Sequence, residues 1–228
     1  MTEGEEMGKE KETFWRRAAG VFDERAAEYD AWFENSLLFA IERVALQELV
    51  TPLLGPKLEV GVGPGRFAEA LGVEFGVDPA LAPLAFAGKR GVRVSQAVGE
   101  ALPCAGQSMR TVLLLFTYCF LADPRPVLQE CRRVLKPGGN LVLGFIVADS
   151  PWGRMLRGKK EGGHPFYRQA RFYDVGEVEQ CLAGCGFAVA ERRSSLIQPP
   201  EALREMEHSQ AGLITQAGFV VLVAGQVP

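Results

Sequence analysis

Little in this chain of 228 residues points to metal, membrane or polyanion chemistry. Histidine occurs only as His164 and His208, too few to build a zinc site with the cysteines available. The five cysteines are odd in number and form no CxxC pair. Cys181 and Cys185 stand four apart on one predicted helix face. Cys104, Cys119 and Cys131 lie in apolar stretches, where thiols read as small reduced hydrophobes. The longest apolar run, Thr111 to Ala122, falls far short of the ~20 residues that a membrane helix needs. The opening MTEGEEMGKEKE is acidic, whereas a secretory signal is basic and then apolar. Charge of one sign is also missing: 25 Lys and Arg face 28 Asp and Glu, so no basic excess recommends nucleic acid as a partner. Together these absences predict a reducing, cytoplasmic setting with no metal, membrane or nucleic acid.

Apolar material is present in ordinary measure. Hydrophobic residues make up 47% and charged residues 23%, enough for a real core. The length suits one domain with an elaboration. Residues 1–12 read as a disordered, solvated leader. Residues 13–55 read as a helical cover: Phe14, Ala18, Val21, Phe22, Arg25, Ala26 and Tyr29 recur near the 3.6 period, and Leu37, Leu38, Ile41, Val44, Ala45 and Leu49 repeat it. From residue 56 to 228 short apolar strands alternate with helices, which predicts an α/β domain with a doubly wound, mostly parallel sheet. The last apolar run, Ala217 to Gly225, has no long crossover before it, so it returns antiparallel. Residues 151–171 interrupt the pattern with Arg, Lys and aromatics and read as a lid insertion.

The chemistry concentrates in Glu59-Val60-Gly61-Val62-Gly63-Pro64-Gly65-Arg66, where a strand runs into Gly-x-Gly-x-Gly and then a helix. Glycines there permit unusual dihedrals and let a ligand approach the backbone. The amides behind the loop favour an anionic group. Glu59 at the strand end is costly to bury without a partner. Gly76-Val77-Asp78-Pro79 ends the next strand, and an acid about 20 residues past the loop is where such folds meet ribose hydroxyls. Asp78 is equally a good helix N-cap. A nicotinamide dinucleotide fingerprint requires a small residue where this chain has Arg66, which counts against an oxidoreductase.

The spacing Glu-x-Gly-x-Gly-x-Gly resembles the first motif of the class I S-adenosylmethionine-dependent methyltransferases, of the small-molecule, methyltransferase type 11 or UbiE-like kind. Glu100-Ala101-Leu102-Pro103 is similar to their acid-x-Leu-Pro stretch, and Lys136-Pro137-Gly138-Gly139 to their turn before the fifth strand. Phe22-Asp23 and Tyr29-Asp30 resemble the helix that closes over the cofactor. The resemblance implies a seven-stranded, Rossmann-like sheet with an antiparallel last strand. It implies S-adenosyl-L-methionine as cofactor, with Gly61, Val62, Gly63 and Gly65 at its methionine part and Glu59 at its ammonium. Asp78 and Pro79 would lie at the ribose, Val98, Gly99 and Glu100 at the adenine, Leu115 and Phe116 at the methyl, and Tyr29 over the sulfonium. Two positions depart from the pattern. Val98 replaces the usual acid near the adenine, and Met109-Arg110 replaces an aromatic-Asp pair, which leaves Glu100, backbone or water to meet the adenine amino group.

The implied reaction is an in-line methyl transfer to a small-molecule acceptor. The basic and aromatic content of residues 151–171 points to an acidic or aromatic one. His164 and Tyr29 are the candidate catalytic residues, His164 as a base. The alternative is a non-catalytic relative that keeps the fold as a cofactor-binding or scaffold module.

Overall fold

A computed structural model describes residues 3–227, with side chains from Phe14 onward. The eight strands are β1 (Lys57–Val60), β2 (Phe75–Asp78), β3 (Arg93–Gln96), β4 (Met109–Leu115), β5 (Leu135–Ile146), β6 (Phe187–Ser195), β7 (Gln210–Ala211) and β8 (Phe219–Gln226). They form one sheet in the order β3-β2-β1-β4-β5-β8-β6-β7. β1 to β5 pair in parallel, and β8 runs antiparallel between β5 and β6. The expected architecture is thus present with one correction: among the described residues the sheet has eight strands, not seven. The extra strand, β7, pairs two exposed residues with Arg193 and Ser194 of β6. So short a solvent-facing edge carries no apolar alternation to betray it.

Alternation along the central strands builds a core on both faces. Val112 and Leu114 of β4, Leu141 and Leu143 of β5, and Leu222 and Ala224 of β8 face one cluster. That cluster is closed by α6 (Pro124–Val134) and α8 (Val175–Gly184), through Val127, Leu128, Cys131, Val178 and Leu182. The intervening Leu113, Leu115, Val142, Val221 and Val223 face the opposite cluster. Its cover comes from α3 (Leu37–Gln47), α4 (Arg66–Leu71), α5 (Leu81–Lys89) and Trp152. A strand buried on both sides reads as one continuous apolar run, as Val112 to Leu115 does.

The helical cover begins with α1 (Glu3–Glu24), breaks at Arg25, and continues as α2 (Ala26–Ala31). The single helix read through Phe14 to Tyr29 is therefore two. α1 begins within the segment expected to be a leader, whose side chains lie outside the described residues. Ser36 caps α3 by accepting from the Phe39 amide at 3.2 Å. The 151–171 segment is ordered: α7 (Pro151–Glu161) is capped by Ser150, whose hydroxyl accepts from Gly153 N at 2.9 Å. Pro151 occupies its first turn, where a missing amide proton costs nothing. The remainder folds back over the sheet's parallel-strand ends with Phe166 and Ala170 buried.

A compact ion cluster pins the cover down. Asp30 on α2 receives Arg66 Nε and Nη2 on its two carboxylate oxygens at 2.7 and 2.8 Å. Arg90, just past α5, donates to the second of those oxygens at 3.0 Å and to the Pro64 carbonyl at 2.8 Å. Burial pushes the Asp30 carboxyl up, but the hydrogen bonds from Arg66 and Arg90 outweigh it and hold it below its ordinary range. Asp23 adds a second tie by accepting from Ala82 N at 2.7 Å.

Asp30→Ala removes the central acid of this largely buried cluster and leaves Arg66 to the exposed Glu34, and Arg90 to the exposed Glu69 and the Pro64 carbonyl. Discounting the 3–5 kcal/mol typical of fully buried pairs for partial solvent access, a loss of roughly 2 kcal/mol is expected. Chemical denaturation measures it, and hydrogen exchange across α1 and α2 should accelerate more than exchange across β4 and β5.

Candidate functional site

In the sheet order the chain leaves β1 to one side for β2 and to the other for β4, which opens a crevice at the strands' carboxyl ends. The glycine loop after β1 lies in that crevice. Gly61, Gly63 and Gly65 have φ of +76°, +49° and +80°, the left-handed region that favours glycine. A Cβ on Gly61 would stand 2.2 Å from Thr117 Oγ1, and one on Gly65 2.8 Å from Ala87 Cα. Gly61 thus lets β1 approach the end of β4, and Gly65 lets α4 approach α5.

The loop's amides are already committed. Gly61 N and Val62 N donate to the Val77 carbonyl at 2.8 and 3.0 Å, and Gly65 N donates to the Val62 carbonyl at 2.9 Å. Gly63 N donates to Asp78 Oδ2 at 2.9 Å. These four loop amides are therefore unavailable to a ligand, which leaves the first amides of α4 as the backbone donors behind the loop. Arg66 fails the dinucleotide pattern for a related reason: its side chain is used to grip Asp30.

Asp78 serves as turn residue and site residue together. Its Oδ1 accepts from Ala80 N at 2.8 Å while Oδ2 holds the glycine loop. Burial raises its carboxyl to about 6; the Ala80 and Gly63 amides act downward, and nearby Asp23 acts upward. Glu59 is 3% exposed, and its Oε2 has no hydrogen-bond partner. Burial, with Asp78 adding to it, pushes that carboxyl well above the usual range. A buried acid without a donor is what a missing cation or set of N–H groups would satisfy.

Two cavities share a wall here. The smaller, of about 100 Å³, is lined by Tyr29, Gly61, Gly63, Asp78, Pro79, Val98, Gly99, Glu100 and Leu115, with Trp15 and Ala18 from the cover. Of the residues named from sequence as cofactor contacts, Glu59, Val62 and Gly65 do not line it. Val62 is buried behind the loop against Gly76, and Gly65 is packed on α5. The larger cavity, of about 310 Å³, is walled by aromatic rings and includes Glu42, Cys119, Lys159 and Tyr173. Phe22, Tyr29, Phe116 and Phe120 belong to both. Tyr29 meets Phe22 edge to face with ring centroids 4.9 Å apart, and lies 5.7 Å from Phe166. Burial raises its phenol well above the ordinary range, so it stays protonated. Phe116 adopts a left-handed φ of +57°, unusual for a bulky residue. Its amide bond to the Gly144 carbonyl at 2.8 Å and its stacking on Phe219 at 5.1 Å hold it there.

His164 lines neither cavity. Its ring sits 4.9 Å from that of Tyr167, with Nδ1 buried and unpartnered, and burial followed by Lys159 lowers its pKa. The basic residues of 151–171 are largely used to hold the segment together. Arg154 bonds the Asp149 carbonyl, Lys160 bonds the Ala170 carbonyl at 2.6 Å, and Arg171 pairs with Glu177 at 3.3 Å. Only Lys159 among them reaches a cavity. Sequence reasoning missed Glu42, a lone acid on the apolar face of α3, although that position in an amphipathic helix was its signal.

Comparison with known proteins bears directly on this geometry. A sequence family described as a methyltransferase domain matches residues 58–143, the stretch from β1 into β5. An S-adenosylmethionine-dependent methyltransferase from Thermotoga maritima, described as a possible histamine N-methyltransferase, superposes with a TM-score of 0.84. It is 32% identical, with 93% of this chain and 99% of that one covered. This chain belongs to the S-adenosylmethionine-dependent methyltransferases. Uncharacterized proteins are also similar to it. One from Mycobacterium tuberculosis is 45% identical over 87% of this chain and 71% of its own length. One from Methanocaldococcus jannaschii is 33% identical over 91% of this chain and 99% of its own. The methyltransferase's cofactor is S-adenosyl-L-methionine, and the site fits it: a side-chain-free loop, an orphaned buried acid at Glu59 and a ribose-type acid at Asp78.

Gly61→Ala should destabilise the methyltransferase, because a left-handed φ and the Thr117 clash act together. The φ alone costs ~1–2 kcal/mol. At roughly 2–4 °C per kcal/mol for a chain of this size, the melting temperature should fall by several degrees. Differential scanning calorimetry reads this directly.

Proposed function

We propose that this methyltransferase moves the methyl group from its cofactor to a small-molecule acceptor seated in the larger, aromatic cavity. The observation that carries the reading is the shared wall of Phe22, Tyr29, Phe116 and Phe120, which puts the two cavities side by side. In-line displacement needs donor and acceptor on opposite sides of the transferred carbon, and two abutting cavities supply that arrangement. A volume of about 310 Å³ is at the lower end for organic-ligand sites. The Thermotoga protein's description, which names a small amine, supports the same class of acceptor.

When bound, S-adenosylmethionine supplies an already activated methyl on a sulfonium. The residues of this chain do the rest by holding and shielding. The side-chain-free faces of Gly61 and Gly63 take the methionine part, with Val62 and Gly65 shaping the loop behind them. Glu59 receives the ammonium and so gains the partner it lacks. Asp78, followed by Pro79, accepts from the ribose hydroxyls, while Val98, Gly99 and Glu100 border the adenine. Leu115 and Phe116 flank the methyl, and the Tyr29 ring stands against Gly63 and offers its π-face to positive charge. The aromatic wall keeps water from the reacting atoms, which strengthens electrostatic interactions inside. His164 lines neither cavity and stands behind the rings of Tyr167, Trp32 and Phe166, so a base role for it requires movement of the 151–171 segment.

A methyl-transfer assay that follows S-adenosylhomocysteine formation across a panel of small acceptors tests the reading. Turnover with one of them supports it. Cofactor binding without turnover on any small acceptor would favour a macromolecular acceptor or a non-catalytic role. A second expectation concerns pH. Only the ionised Asp78 accepts from both ribose hydroxyls, and its carboxyl titrates near 6. Affinity for S-adenosylhomocysteine should therefore rise with pH through that value and level off above it. One unit below, about a tenth of the carboxyl is ionised, for a loss approaching tenfold. Calorimetry across that range checks the slope, and Asp78→Asn should flatten it.

A further inference from the structure

Glu42 is the feature of the larger cavity that methyl transfer alone does not explain. It is 6% exposed, lies on the buried side of α3 and lines the cavity. Among the described residues no side chain or amide donates to its carboxyl. Burial alone pushes its pKa well above the ordinary value. A structural acid in such a place is normally bonded, because a buried polar group left without a partner destabilises the fold. The Tyr173 hydroxyl is likewise without a partner, but it is buried behind the wall of the same cavity. Glu42, an acid without a donor, lines the cavity itself and marks a place that a ligand completes.

The surroundings decide the sign of that ligand. Trp32, Phe39, Phe67, Phe116 and Tyr167 are among the cavity's rings. Aromatic faces carry negative charge density, so they attract cations and repel anions. The other charged residue in the lining, Lys159, is exposed and so sits at the solvent side rather than within the rings. An acid enclosed by π-faces, with the nearest base outside them, is electrostatically matched to an organic cation. It is a poor match for a carboxylate or phosphate.

We propose that the acceptor carries a protonated nitrogen, which Glu42 holds as an ion pair inside the aromatic cavity. This rests on the reading of that cavity as the acceptor site and deepens it by naming the substrate class. Glu42 is here a binding and specificity residue. The atom that receives the methyl is a separate matter, set by whichever part of the acceptor reaches the Phe116 and Tyr29 wall.

The test uses the full chain loaded with S-adenosylhomocysteine and three matched probes: phenethylamine, phenethyl alcohol and phenylacetate. Calorimetry should show the amine binding at least tenfold more tightly than the alcohol or the acid. Glu42→Gln should bring the amine down to the alcohol's level while leaving S-adenosylhomocysteine affinity within twofold. Glu42→Leu should lose the amine yet melt no lower than the wild type, a result that a purely structural acid would not give. Equal or tighter binding of the alcohol or the acid overturns the proposal. So does an amine preference that survives in Glu42→Gln, or the absence of amine binding at millimolar concentration. If Glu42→Gln fails to fold, the three-probe comparison on the wild type still decides. Loss of S-adenosylhomocysteine binding in the wild type would instead refute the cofactor reading, so the two failures are distinct.

Discussion

The grip of Arg66 and Arg90 on Asp30 is the interaction on which the site depends. Asp30 lies on a helix of six residues, too short to persist by itself. Arg66 opens the helix that follows the glycine loop, and Arg90 leaves the helix that follows Asp78. A single carboxylate therefore ties the cover to both sides of the cofactor crevice. Tyr29, its neighbour in sequence, is carried by the same tie onto Gly63. That anchor matters to both cavities, because Phe22 and Tyr29 line each of them and come from outside the sheet.

The two cavities differ in how polarity is managed. Around the smaller, the glycine loop's own amides are satisfied internally: they bond Val77, Val62 and Asp78, and Thr117 donates to the Val60 carbonyl at 2.9 Å. The side chains it sets there are acidic, Asp78 in the wall and Glu59 buried behind the loop, which suits a cationic, hydroxyl-bearing ligand and not a polyphosphate. The larger cavity is apolar except at a few points, Glu42 foremost. Its shape is owed to segments far apart in sequence: the cover, the turn after β4, and the ordered 151–171 excursion. Phe116 joins the two by adopting a strained backbone conformation that packing over-determines, a pattern often met at functional sites.

Much of the fold was legible because it is written in local periodicities. The apolar runs of β1, β2, β4, β5 and β8 and the 3.6-residue repeats of the helices each report burial on a defined face. The glycine loop was legible for a different reason: positive φ values and near contacts at Gly61 and Gly65 admit no side chain. β7 was not legible, since two exposed residues pair only through backbone. The break at Arg25 was hidden because helical apolar spacing continues across it. The basic character of 151–171 suggested an acidic or aromatic acceptor, whereas Arg154, Arg157, Lys160 and Arg171 are engaged with neighbouring protein groups.

The sequence by itself determined the order of elements, the glycine turn, the acids at Glu59 and Asp78, and the resemblance that named the cofactor. These depend on neighbours within a few residues, where backbone geometry and periodicity act. Only the tertiary structure decided which residues share a cavity. It put Glu42 of α3 in the lining of one cavity with Tyr167 and Tyr173, left His164 behind that lining, and turned Arg66 from a motif anomaly into a clamp. The reason is that a side chain's burial and charge environment are set by contacts between segments a hundred residues apart, on which local sequence pattern is silent.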